Sequence, residues 1–250
     1  MRTFKQLVYG LFYIAIFSGL VFGFYSLFIK PAPSCFNGVQ DQNEQGIDCG
    51  GVCAKFCLPS NLIDIETSGQ AQIFHPATSS ISVMAEIKNN NADFAAQDLP
   101  YKFVFYDGQG TPLYERDGDS FIYASEIKNI AEFNLNFPDA YKIVSVGFSI
   151  GETKWIPKSL FSQPQLVRQS LNTAISPKGL TAAGNFINGG TVLVKKVTIF
   201  AVFYSKFGPI GISGSEIDDV APGQQYSFSV FHPTLNNIDI SKTRIYLYGN

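Results

Sequence analysis

The residues able to do chemistry are concentrated in one short stretch. Cys35, Cys49, Cys53 and Cys57 are the four cysteines, and none follows Cys57. Zinc ligation competes with disulfide formation, but paired C-x2-C knuckles are missing and no histidine lies nearby. Two disulfides are therefore expected, and the spacing leaves all three pairings open. Between the cysteines, Asp41-Gln-Asn43-Glu44-Gln-Gly46-Ile-Asp48 sets oxygen ligands at alternate positions ahead of a glycine, the start of a calcium-loop pattern. An EF-hand loop beginning at Asp41 needs a bidentate Glu where Val52 stands. A calcium site drawn from Asp41, Asn43, Glu44 and Asp48 is one reading. A hydrogen-bonded turn whose acidic and amide side chains cap local backbone groups is the preferred one.

Catalytic arrangements are sparse elsewhere. His75 and His232 are each followed by proline and sit far apart in sequence, with no nucleophile-elbow motif beside either. No P-loop, GxGxxG or metal-type His pair occurs. The acidic residues Asp107, Asp117, Asp119, Asp218 and Asp219 are scattered as in solvated turns. No cofactor other than the weak calcium candidate is indicated. An enzyme acting on a polymer is the least favoured reading.

The text from Cys35 to Cys53, with Asp48-Cys49-Gly50-Gly51-Val52-Cys53 at its end, resembles a Cys-rich motif met in many bacterial exported proteins. The resemblance implies export and a structural insert, with no assigned role. Its few apolar residues are too few for a core, so the bridges must hold the segment together.

The elements that position this cluster begin upstream. Leu7 to Ile29 is uncharged and long enough to span a hydrocarbon core. Arg2 and Lys5 precede it and Lys30 follows, so the positive-inside rule places the N-terminus in the cytoplasm and residues 31–250 outside. A cleaved leader has a shorter apolar run and a small-residue cleavage site. Lys30-Pro31-Ala32-Pro33 is a poor cleavage context. Residues 1–6 form a tail too short for a domain. Ala15, Gly19 and Gly23 repeat at i, i+4 and i+8, a stripe through which two helices can approach and dimerise. Common use of Gly and Ala in such helices is the plainer account.

Beyond residue 60 the chain alternates at period two. Ile81, Val83, Ala85 and Ile87 interleave with Ser82, Met84, Glu86 and Lys88, while Asp107-Gly108, Asp117-Gly118 and Pro222-Gly223 read as turns. The chain also pairs with itself. Ala85–Asn89 matches Gly184–Asn188, Tyr101–Asp107 matches Ile199–Ser205, and Gly110 matches Gly208. Phe133–Pro138 is set against Phe228–Pro233, and Val146-Gly-Phe148 against Ile245-Tyr-Leu247. The expected fold is all-β: two tandem immunoglobulin-like β-sandwiches, residues 61–156 and 165–250, behind one transmembrane helix (7–29) and a disulfide module (31–60). Each sandwich is expected to fold by itself. Residues 156–165 read as the linker, and Trp155 as a cap on the first sandwich.

Phe103-Val-Phe105-Tyr106-Asp107, lying between Asn89 and a Gly-bearing turn, resembles the FxLYD-type domain of prokaryotic exported proteins. The second copy, Ala201-Val-Phe203-Tyr204-Ser205, keeps the aromatic pair but lacks the first Phe and the Asp. Ala221-Pro222-Gly223 before Tyr226 is similar to the same family. That resemblance implies an immunoglobulin-like sandwich without catalytic residues. Composition agrees in excluding one class. Setting aside Arg2, Lys5 and Lys30 leaves 15 basic residues against 20 acidic ones, a balance of about −5 without Lys/Arg runs, so nucleic acid is not a partner. The expected role is an anchored surface protein binding a protein or glycan. An accessory subunit of an envelope assembly is the alternative.

Overall fold

The computed structural model describes residues 2–29 and 34–250; Lys30 to Pro33, which carry the flanking charge and prolines, lie outside the described residues. Contacts divide the chain into two units, Met1–Pro59 and Ser60–Asn250.

In the first unit α1 spans Arg2–Phe24 and continues as a π-helical stretch, Tyr25–Ile29. An uncharged run without proline has no reason to break helix pairing. The helix is long and apolar enough to cross a membrane, a test that a leader also passes. Its large apolar side chains are exposed all round. The cysteines form two interleaved bridges, Cys35–Cys53 and Cys49–Cys57, and none is free among the described residues. The bridges fit an oxidising, extracytoplasmic compartment. Gly51 explains part of the Cys-Gly-Gly text. Its φ is +60, and an added Cβ would overlap the Asn43 carbonyl oxygen.

In the second unit seven strands precede residue 160: β1 (Glu66–Ala77), β2 (Ser80–Lys88), β3 (Phe94–Tyr106), β4 (Pro112–Ile122), β5 (Ile127–Asn136), β6 (Ser145–Ile150) and β7 (Lys154–Pro157). Six follow: β8 (Leu166–Ser176), β9 (Gly179–Asn188), β10 (Val194–Tyr204), β11 (Pro209–Val220), β12 (Gln225–His232) and β13 (Arg244–Gly249). All pairings are antiparallel. Sheets β1-β2-β5 and β4-β3-β6 enclose one core, containing Ile81, Val83, Ile87, Phe103 and Phe105. Sheets β8-β9-β12 and β11-β10-β13 enclose the other, around Phe186, Ile199, Ala201 and Phe203. The strand orders are the same in both halves, as duplication requires. The central-strand positions Phe103, Phe105, Ala201 and Phe203 are fully buried, as period-two alternation demands of an inward face.

The repeat extends to its polar details. Asn89 Nδ2 donates to the Phe94 and Tyr123 carbonyls, and its Oδ1 accepts from Asn91 N–H. Asn188 Nδ2 donates to the Val192 and Val220 carbonyls, and its Oδ1 accepts from Gly190 N–H. Each carboxamide thereby ties the end of a core strand to two neighbouring loops. Asp107 in the first copy and Ser205 in the second close matching hairpins, accepting from Gln109 N–H and Phe207 N–H. The Asp-to-Ser change keeps the turn because both oxygens reach a backbone N–H two residues on.

Four expectations need correction. Asp117-Gly118 is not a turn: both residues lie inside β4, paired with Lys102 and Tyr101. Gly118 is needed because the Tyr101 ring lies against it and leaves no room for a Cβ. Phe133 is not the counterpart of Phe228. Ala85 and Gly184 are equivalent, and their partners are Ile130 and Phe228. A register shift between Ile81 and Val83, beside Asn134 at φ 51, displaces the end of β5. The last strands keep phase but slip by two, since Phe103 pairs with Phe148 whereas Ala201 pairs with Ile245. The linker begins after Pro157, because Ile156 and Pro157 belong to β7 and pair with Ala95 and Phe94. Trp155 pairs with Ala96 of its own sandwich.

A third core joins the two halves. Phe74, Met84, Phe200, Val202 and Ile212 are buried together, with Phe133, Tyr246 and Tyr248 packed against them. These side chains leave the outer faces of β1-β2-β5 and β11-β10-β13. Met84 lies on the face of β2 opposite Ile81, Val83, Ala85 and Ile87, and that face is covered by the other sandwich. Gly214 of β11 makes room for the Phe133 ring, against which its Cβ would press.

Candidate functional site

A cleft of about 570 Å³ opens at the seam between the sandwiches. Sheet β4-β3-β6 brings Tyr101, β5 brings Lys128, Asn129 and Glu132, and the second sandwich brings Lys196, Glu216 and Tyr248. On the first wall the Tyr101 hydroxyl donates to Glu132 Oε1 at 2.9 Å, and Arg116 Nε lies 3.3 Å from the same oxygen. On the second wall Lys196 pairs with Glu216 at 2.9 Å. Asn129 donates from its backbone N–H and its Nδ2 to the Tyr248 hydroxyl oxygen, at 3.0 and 3.2 Å. The Tyr123 hydroxyl donates to the Gly249 carbonyl at 2.7 Å. Both last contacts cross from one sandwich to the other.

Lys128 is the unusual group. It is 4% exposed, its Nζ donates to the Phe121 carbonyl at 2.8 Å, and it sits 3.1 Å from the centroid of the Phe121 ring. The Tyr248 ring is on its other side, 5.1 Å away. Desolvation lowers the Lys128 pKa, opposed by the charge of Glu126. Glu126 is raised by burial, against the Tyr123 N–H that it accepts. Tyr101, Tyr123 and Tyr248 are all raised by burial, so their hydroxyls keep their protons. Cation–π contact and a carbonyl acceptor are what a buried ammonium requires. Sequence reasoning overlooked Lys128. The available signal was its phase: it shares the inward phase of β5 with Ile130.

The calcium-pattern residues occupy the disulfide module. Glu44 is buried, and its Oε2 accepts from Asp41 N–H and Asp48 N–H at 3.2 and 3.1 Å. Asp48 accepts Asn37 N–H on Oδ1 and Gly38 N–H on Oδ2. Asp41 Oδ2 accepts from Asn37 Nδ2 at 2.8 Å, and its Oδ1 is buried without a hydrogen-bond partner among the described residues. Asn43 is exposed at φ 65. The carboxylates are thus spent mainly on backbone N–H groups, the arrangement of a hydrogen-bonded turn. Cys35, Glu44 and Cys53 place ligand-type atoms close together, but the two sulfurs are bonded to each other. In α1, Ala15, Gly19 and Gly23 share one face, and a Cβ on Gly19 or Gly23 would meet nothing.

The two histidines remain apart. His75 is exposed on β1. His232 is 1% exposed at the end of β12, packed 5.4 Å from the Phe203 ring centroid, with Nδ1 on the Pro233 carbonyl at 2.7 Å. Gly211 is bare where a Cβ would press on Nε2, which is buried without a hydrogen-bond partner among the described residues. Burial lowers the His232 pKa below its ordinary value. As pH falls through about 6.5, the unfolded chain takes a proton that the folded chain refuses, so stability drops. Melting temperature is expected to fall from pH 7 to about 5, and His232→Leu to flatten that slope while lowering stability at neutral pH. An unchanged slope in the variant would refute this role for His232.

No protein-family model and no curated protein matches the chain. Among solved structures, a transglutaminase of red sea bream is similar at 17% identity and a TM-score of 0.25, and the match covers 76% of this chain. The chain spans only 31% of that protein, and a likeness at this score carries no argument.

Proposed function

We propose that the chain is a membrane-anchored extracytoplasmic binding or scaffolding protein, with its N-terminus in the cytoplasm and its two sandwiches presenting the interdomain cleft to a protein or glycan partner. The observation that supports it most is the cleft itself. Two sandwiches that share a core cannot swing freely, so groups from both are held at fixed spacing, the preorganisation a binding site needs. Its lining mixes aromatic rings with carboxylates, amides and lysines, groups suited to hydroxyls and peptide edges alike. Arg2 and Lys5 before the span support the orientation.

Photo-crosslinking in the native cells tests this. A photoreactive residue at Asp119 or Thr198, both lining the cleft, is expected to capture a discrete adduct, whereas one at exposed Val167 on β8 is not. Protease added to intact spheroplasts is expected to remove the β-region. Adducts at Val167 as strong as those in the cleft, or full protection from protease, would overturn the proposal. Adducts only from a photoreactive residue at Gly19 would favour an accessory subunit of an envelope assembly.

A further inference from the structure

The disulfide module has its surface inside out. Phe36 is 92% exposed, Val52 63% and Ile47 62%, with Val39, Phe56 and Leu58 exposed as well. Its acidic groups turn inward: Glu44 is buried, and the carboxylates of Asp41, Glu44 and Asp48 all accept hydrogen bonds from within the module. The bridges make this arrangement stable. A module held by Cys35–Cys53 and Cys49–Cys57 needs no apolar core, which frees its apolar side chains for another surface. Phe36 and Val52 each adjoin a cysteine of the same bridge, whose Cα atoms are 5.6 Å apart. A concentration of bare apolar residues on so small a body marks a contact.

Tether length identifies the occupant. The apolar helix ends at Ile29, and Phe36 follows seven positions later in sequence. Even fully extended, that chain reaches roughly 25 Å. The polar zone of one leaflet is about 5–8 Å deep, so the module is held where the headgroup layer is always within reach. With Lys55 as its one basic residue against three acidic ones, attraction to anionic lipid does not explain such a contact, and apolar insertion does. Resting on the reading of α1 as a membrane span, we propose that the module seats Phe36 and its apolar neighbours in the headgroup–acyl boundary of the outer leaflet, fixing the base of the extracytoplasmic region against the lipid surface.

Depth-dependent quenching tests this on the full chain in phosphatidylcholine vesicles. Trp155 is the single tryptophan, so Trp155→Phe gives a dark background into which Phe36→Trp or Tyr13→Trp is introduced. Both new sites are exposed in the folded chain, so neither substitution removes a core contact. In vesicles with brominated acyl chains, Tyr13→Trp is expected to lose most of its emission and Phe36→Trp about half, as a ring at boundary depth would. High salt is expected to leave both unchanged. Quenching at residue 13 without quenching at residue 36 would sink the docking and leave the anchor standing. A blue-shifted but unquenched residue 36 would mean that protein covers it, which also overturns the proposal. Quenching at neither site would remove the anchor itself.

Discussion

Phe203→Asp is expected to abolish the cooperative melting of the second sandwich. Phe203 is fully buried at the centre of β10, with the His232 ring on one side and the core of β9 and β12 around it. Removing a buried Phe side chain costs about 3–5 kcal/mol, and a buried unpaired carboxylate adds several more. That approaches or exceeds the 5–15 kcal/mol of a typical domain. The equivalent change, Phe105→Asp, should do the same to the first sandwich. Phe200→Asp is the informative contrast. Phe200 is as deeply buried, but it belongs to the third core, where it meets Phe133, Tyr246 and Tyr248. A charge there should part the sandwiches and spare their individual cores, giving two separate transitions in calorimetry. A single transition at the wild-type temperature for any of these variants would contradict the core assignments.

Asn188→Leu and Asn89→Leu are expected to be nearly as damaging, despite adding apolar volume. Each asparagine is about 1% exposed or less, and each satisfies two carbonyls and one N–H of the backbone. Leucine removes all three bonds. At the Asn89 site the Tyr123 carbonyl keeps the Glu126 N–H, but the other groups there lose the bond asparagine supplied, and each such loss costs about 1–3 kcal/mol. A penalty of about 3 kcal/mol or more per site should appear in urea unfolding followed by circular dichroism. Asn→Asp should retain the acceptor role and lose the donors, so it also destabilises. Because the two sites share the same backbone bonds, the penalties should be of similar size, with Asn89 also losing the bond from Asn91 Nδ2. A cost below about 1 kcal/mol would show that solvent replaces the clamp.

The pairing of Asn89 with Asn188 is legible in the amino-acid sequence alone, and so is the inward phase of Phe105 and Phe203. So are the apolar span from Leu7 to Ile29 and the four cysteines destined for bridges. All of these depend on local rules: side-chain period, run length, residue type at a strand end. A strand pattern fixes which residues share a face because the backbone pleat alternates by itself. It does not say what lies opposite that face. Hence Met84, which interleaves with the inward residues of its strand, and Phe200 prove to be the core between sandwiches. Lys128, of a residue type that is ordinarily solvated, proves to be enclosed by Phe121 and Tyr248.

The same limit governs register and pairing. Cys35 meets Cys53 and not Cys49 or Cys57 because of how the turn from Asp41 to Asp48 folds back, with Glu44 holding two of its N–H groups. Phe228 finds its counterpart in Ile130, three residues ahead of Phe133, and beyond Glu132 an irregularity beside Asn134 adds one residue to β5, which reverses the faces of the residues after it. Asp117-Gly118 carries the local chemistry of a turn, yet lies in β4 because Tyr101 requires a bare backbone opposite it. Sequence by itself determined the span, the bridging cysteines, the alternating strands and the duplication. The choice of bridge partners, the seam between the sandwiches and the cleft it opens were decided only by tertiary contacts, because each depends on residues far apart in the chain meeting in space.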